Sequence, residues 1–392
     1  GLRSGRLSFT TSYVEAADFG DVHFVCVGTP QLPDGSADLS QVRACLGRLA
    51  PLLTRPCLVA GKSTIPAGAA GDLATLLAER APIGPGAELA WNPEFLREGH
   101  AVDDTLRPDR IVAGVSSLRA ERLLRRVYAR QIEAGVPFIV TDVATAELVK
   151  LAANAFLATK ISFINAMAEI CEATGAHVGV LAAALGHDSR IGAGSMRPGL
   201  GFGGGCLPKD TRSLASQAAA LGAADLASLL RSVDVINQRS RERMLSLAAD
   251  LAGGSLDGAK VGLLGLAFKP GTDDIRDSPA IEVAATLIAW GAEVTAYDPA
   301  AATRAGAAVP GLRQAGSLAE AARGADILLL LTEWPEFGAA DPEALGALVA
   351  RRVVADGRHA LDADRWRAAG WLYGAPGTSR SQPTAVPAEA SR

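Results

Sequence analysis

The residues best placed to do chemistry end in a cysteine. In GLGFGGGCLPKD, Gly199 to Asp210, five glycines lead to Cys206, and a helix is expected after Pro208. Glycine lets a backbone approach a ligand closely. A cysteine near a helix N-terminus, with Lys209 close by, can be held as a thiolate, the form that attacks carbon. The plainer alternative is a loop around an inert, buried thiol, but the flanking glycines and the Lys209-Asp210 pair favour a reactive one. Lys150 and Asn154 lie four apart, hence on one helix face, together with Glu147 in a nearly apolar stretch, LVKLAANAFLA. Such a pair can polarise or protonate an oxygen; a solvated stripe is the alternative.

Glu94 and Glu98 in NPEFLREG are also four apart. One can act as a base toward water and the other contact a cofactor, or both can simply enrich the start of a helix. GKSTIP (61–66) ends a strand with Ser63 and Thr64, at the edge where open α/β sheets bind ligands. In GLAFKPGTDDIRDSPA, Lys269 and Arg276 follow a strand, and Arg358 follows another in ADGR. Cations there suit phosphates. Asp298 ends a strand about thirty residues after the Gly265 turn, where a dinucleotide fold places its ribose-binding acid. The turn is not GxGxxG, however, so this part reads as binding a nucleotide that need not be NAD.

Strands alternating with helices must position these residues. VHFVCV (22–27), CLVAGKST (57–64) and 111–114 read as buried parallel strands, with helices over 38–53 and 67–80. From Thr141 to about Ala252 the pattern is mostly helical, with a long Ala-rich stretch from Ala144 to Ala173. A second alternating unit starts at Lys260, with strands at 293–299, 325–334 and 352–358 and a helix over 280–290. The expected fold is α/β. Two Rossmann-like domains (1–138 and 255–374, the second read as binding a nucleotide) flank a central helical domain (139–254), and 375–392 forms a disordered tail. The first domain lacks its initial βαβ unit: no GxGxxG precedes residue 22. The chain carries 38 Lys and Arg against 42 Asp and Glu, which argues against nucleic acid and anionic membrane surfaces as partners. No stretch reads as a membrane span or signal peptide. Five scattered cysteines, with no CxxC pair, point away from zinc and disulfides and toward a reducing cytoplasm.

Together the segments resemble the UDP-glucose/GDP-mannose dehydrogenase family. The matching strings, in family order, are FVCVGTP (24–30), GKSTIPAG (61–68), NPEFLREGHAVDDTLRPDRIVAG (92–114), ELVKLAANAFLATKISFIN (147–165), GFGGGCLPKD (201–210), GLAFKPGTDDIRDSPA (265–280) and ADGR (355–358). The resemblance implies oxidation of a nucleotide-sugar C6 alcohol to a carboxylate in two NAD-dependent steps, in a homo-oligomer. It implies that Cys206 attacks the C6 aldehyde, giving a thiohemiacetal and then a thioester. It gives Lys150 and Asn154 the developing oxyanion, Glu94 a part in thioester hydrolysis, and Thr64 and Asp210 the positioning of water. Thr29, Thr64, Glu98 and Arg276 match cofactor contacts. Gly203, Lys269, Arg358 and Arg190 match UDP-sugar positions, Arg190 reaching a neighbouring subunit. KISFIN, DSRIG and PDRIVAG resemble the UDP-glucose branch rather than those for GDP-mannose or UDP-N-acetylmannosamine. Roughly fifty residues of the family pattern do not precede the chain, so it is expected to bind NAD poorly as given: a fragment, a misassigned start, or a nucleotide-sugar binder without activity. A β-hydroxyacid dehydrogenase, which also has a Lys-x-x-x-Asn helix, is the rival that needs no cysteine.

Overall fold

The computed structural model describes residues 1–378; the remainder of the tail, 379–392, lies outside the described residues. Contacts divide the chain into two compact units, 1–155 with 209–227 and 156–208 with 228–392.

The first unit holds a five-stranded sheet in the order β1 (Val22–Val25), β2 (Cys57–Gly61), β3 (Ala87–Trp91), β4 (Ile111–Gly114), β5 (Phe138–Thr141). Strand β2 is buried along its whole length, the mark of a parallel strand covered on both faces. Gly61 has to be glycine: the ring of Trp91, its register partner on β3 and itself 1% exposed, fills the space a Cβ would take. Pairing is parallel except at β3 and β4, which meet antiparallel at Trp91 and Gly114. The uniformly parallel sheet expected here is therefore corrected at one joint. Among the described residues β1 pairs with β2 alone. Helices α1 (Ser40–Leu49) and α2 (Ala69–Arg80) bury Val42, Leu46, Leu73 and Leu77 against one face. Helix α3 (Leu118–Val127), capped by Ser117, covers the other with Ala120 and Leu124.

The second unit carries β6 (Lys260–Leu264), β7 (Glu293–Tyr297), β8 (Arg313–Gln314), β9 (Ile327–Leu330), β10 (Val353–Asp356) and β11 (Leu372–Gly374). Their order, β11-β10-β9-β6-β7-β8, is parallel throughout. Read from β6 it is the Rossmann order, with the reversal between β6 and β9. The four residues of β9, Ile-Leu-Leu-Leu, are fully buried, each contributing roughly 2 kcal/mol by area. Ala375 is buried and the Gly377 N–H donates to Glu172 Oε1 at 2.6 Å. The packed chain thus runs four residues into the stretch expected to form the tail.

Five further helices complete the frame: α4 (Val143–Thr174), α5 (Val178–Gly186), α6 (Leu207–Ala220), α7 (Ala224–Ala252) and α8 (Pro279–Ala289). By length and composition α4 is apolar enough to cross a membrane, which corrects the expectation that no stretch would be. Its polar residues are matched inside the protein, as in a core helix. Glu147, 1% exposed, accepts the N–H groups of Gly68 and Ala70 at 2.6 and 2.7 Å and so caps α2. Burial pushes this carboxyl up, and the two donors pull it back. In the second unit Ser162 Oγ donates to the Val233 carbonyl at 2.8 Å.

Glu147→Ala leaves two buried donors unpaired. A loss of about 2 kcal/mol in urea unfolding is expected, and an unchanged midpoint contradicts the capping role.

Candidate active site

In the first unit, α4 presents Lys150 and Asn154 one turn apart, 5% and 7% exposed. The Lys150 ammonium sits 3.1 Å from Glu94 Oε1. Asn154 Nδ2 donates to Asp210 Oδ2 at 2.6 Å, and Lys209 Nζ holds Asp210 Oδ1 at 2.5 Å. With both oxygens engaged and 1% exposure, Asp210 orients its neighbours. Glu94 is half-buried, in an irregular loop after β3. The helix start expected around Glu94 and Glu98 is not there, because the next helix begins at Ala101. Glu94 Oε2 instead accepts the Leu96 N–H at 2.6 Å and folds the loop back on itself. Glu98 is half-buried further along this loop.

Thr29 and Thr64 stand in the loops that leave the carboxyl ends of the neighbouring parallel strands β1 and β2. The Thr29 hydroxyl donates to the Thr64 carbonyl at 2.7 Å, tying the loops together. The sequence reading missed the residues behind them. Lys62 Nζ donates to Asn92 Oδ1 and to the Tyr128 hydroxyl, both at 3.1 Å, and Asn92 Nδ2 donates to the Val112 carbonyl at 2.7 Å. Burial pulls the Lys62 amine down and pushes the Tyr128 phenol up to about 12. Polar residues buried around a lysine at a strand end were the available signal.

In the second unit the glycine-rich loop is shaped by contact with protein. A Cβ on Gly203 would meet the Asp277 carbonyl and stand 2.8 Å from Pro279 Cδ; on Gly204 it would stand 2.7 Å from the Phe268 ring, and on Gly205 2.5 Å from Arg276 Cζ. The Gly204 N–H donates to the Arg276 carbonyl at 2.9 Å. On their side-chain side these glycines make room for the 274–279 loop and the Phe268 ring. Asp277 in that loop holds a φ of +49°, a left-handed conformation costly for any residue but glycine. Cys206 is exposed, immediately before the first residue of α6, and none of the five cysteines is disulfide-bonded.

Arg276 is ion-paired with Asp274 at 2.7 Å and 66% exposed, and Lys269 Nζ lies 5.5 Å from the Phe268 ring centre. Arg358 is 13% exposed. Its guanidinium donates to the Leu331 and Gly201 carbonyls at 2.8 and 2.9 Å and lies 3.5 Å from Glu333. Burial presses its pKa down while Glu333 opposes the shift; a guanidinium stays protonated regardless. Arg190 stands apart, 87% exposed and paired with Asp188 at 2.6 Å.

Asp298 is bound to the Gly265 turn. Its Oδ2 accepts the N–H groups of Leu266 and Ala267 at 2.7 and 3.0 Å and the Trp334 indole at 3.1 Å. Its Oδ1 takes Ala300 and Ala301 at 2.8 and 2.7 Å. In a dinucleotide fold such turn donors face a pyrophosphate; here the chain's own carboxylate occupies them.

Three family profiles match this chain: the UDP-glucose/GDP-mannose dehydrogenase family NAD binding domain over residues 1–132, its central domain over 144–239 and its UDP binding domain over 262–363. A Rickettsia felis protein named UDP-glucose 6-dehydrogenase is 38% identical over 391 residues, 99% of this chain and 86% of that one. A Rhizobium meliloti protein of the same name is 40% identical over 382 residues, 96% and 86% of the two chains. The solved UDP-glucose dehydrogenase of Pyrobaculum islandicum superposes with a TM-score of 0.88 at 37% identity, covering 96% of this chain and 84% of that one.

Gly204→Ala forces a side chain onto a backbone at φ +84° and into the Phe268 ring. A loss of about 1–3 kcal/mol in denaturant unfolding is expected; an unaltered curve argues that the loop yields freely.

Proposed function

The chain belongs to the UDP-glucose/GDP-mannose dehydrogenase family, and on that premise we propose that it oxidises UDP-glucose to UDP-glucuronate in two NAD-dependent steps. The observation that carries the reading is the buried Lys150–Glu94 and Asn154–Asp210 network, which ends four residues along the chain from an exposed cysteine at a helix start. The names of the two bacterial relatives and of the Pyrobaculum enzyme support this substrate.

Thr29, Thr64, Glu98 and Arg276 would hold NAD, which when bound would supply the oxidising chemistry as hydride acceptor. Lys150 and Asn154 donate hydrogen bonds to the C6 oxygen as negative charge develops on it. The Cys206 sulfur adds to the aldehyde carbon, and the resulting thiohemiacetal keeps the aldehyde from escaping. Loss of the second hydride leaves a thioester. Glu94 helps water attack its carbonyl, with Thr64 and Asp210 placing that water, and the C–S bond breaks to release the carboxylate and the thiol. Lys269, Arg358 and the backbone at Gly203 hold the UDP moiety. The need for a reduced Cys206 favours the cytoplasm as its compartment.

The chain is further proposed to act as a homo-oligomer through α4. Phe156, Phe163 and Ile170 repeat every seven residues and are 66%, 51% and 56% exposed, an apolar stripe suited to a second copy. Arg190 would reach the UDP-sugar site of that second copy.

Cys206→Ala is expected to abolish UDP-glucuronate formation, followed as NADH production and by product chromatography; full two-step oxidation by this variant would favour the β-hydroxyacid dehydrogenase chemistry instead. Phe163→Asp is expected to convert the oligomer to a monomer in light scattering, and an unchanged mass removes the stripe from the interface.

A further inference from the structure

We propose that Asn237 and Arg241, one turn apart on α7, are positioning residues that set the shape of the Cys206 loop; this rests on the reading of Cys206 as the nucleophile. Asn237 is fully buried and spends its whole amide on one residue. Its Oδ1 accepts the Phe202 N–H at 2.8 Å and its Nδ2 donates to the Phe202 carbonyl at 3.0 Å. A side chain bonded to both backbone groups of a residue fixes that residue as a strand partner would. The Asn237 oxygen also fills the space beside Gly201, which sits at φ +87° and has no room for a Cβ. Gly201 and Phe202 are thus pinned five and four residues before the thiol.

Arg241 works from the same helix face one turn later. It is 2% exposed. Its Nη2 lies 3.4 Å from the Phe202 carbonyl and 3.3 Å from Asp277 Oδ1, and its Nη1 pairs with Glu282. Asp277 is the left-handed residue whose carbonyl stands against Gly203. One guanidinium therefore holds both walls of the loop, Phe202 on one side and Asp277 on the other. Among the described residues its Nε has no partner, so this buried cation is incompletely satisfied there. Apolar packing of the same volume is often as stabilising as a buried ion pair. What the guanidinium adds here is geometry.

The test uses the full-length chain with Asn237→Asp, which keeps the acceptor for the Phe202 N–H but loses the donor to its carbonyl. Arg241→Lys, which keeps the charge but not the fork, is the second variant should the first fail to fold. The readouts are kcat and KM for UDP-glucose, the thermal midpoint, and the iodoacetamide labelling rate of the Cys206 peptide by mass spectrometry. For the folded variants we expect kcat to fall about ten- to a hundredfold, as displacement of a reacting group by an ångström does. KM should stay within about threefold, and Cys206 labelling should slow severalfold. Unchanged kcat and labelling in a folded variant overturn the proposal, as does a loss of activity that only tracks the loss of folded protein. If the parent chain does not oxidise UDP-glucose, the functional reading fails, and the labelling rate alone then decides this one.

Discussion

The second unit is organised around a close approach of a glycine-rich backbone to its neighbours, which leaves no room for a Cβ on the glycines. Gly203, Gly204 and Gly205 lie against the Asp277 carbonyl, the Phe268 ring and the Arg276 guanidinium, while Gly199 lies against the Gly357 carbonyl at the end of β10. Remove the gaps left by those missing Cβ atoms and the loop would stand off the sheet edge. Cys206, which closes this run, takes its place from that packing. The glycines confer the closeness, the left-handed Asp277 supplies the surface they meet, and α7 holds both from behind.

The first unit solves a different problem, keeping charged groups inside an apolar frame. Glu147 is accepted because it caps α2, Lys150 because it faces Glu94, and Asn154 because Asp210 answers it. All three project from α4, a helix whose composition alone would suit a bilayer. Each buried polar group is offset by a partner on another element, so the same contacts that pay for burial also fix the side chains in direction.

Much of this was legible in the chain. Strands β1, β2, β4, β6, β7, β9 and β10 were foreseen because they are uninterrupted apolar runs beside glycines. Strand β3 was not, since AELAW carries a glutamate and alternates weakly, nor was β5, a strand with no fully buried residue. Lys150 and Asn154 were found by spacing, and Cys206 by the glycines before it. Asn237 and Arg241 escaped notice because α7 carries many polar residues, and only tertiary contact separates the two that face inward from those that face water. The closeness that the glycines permit was expected, and tertiary contact adds that the 274–279 loop is one of the surfaces they meet. Asp298 was singled out by its place at a strand end, but its bonds to the Leu266 and Ala267 N–H groups depend on the fold.

That carboxylate has a consequence for the loops around it. With Asp298 holding the Leu266 and Ala267 N–H groups, those two donors are already spent within the protein. The same side chain takes the Ala300 and Ala301 N–H groups and the Trp334 indole, so a single anion ties together the segments that follow β6, β7 and β9. A neutral residue at 298 would release all of them at once.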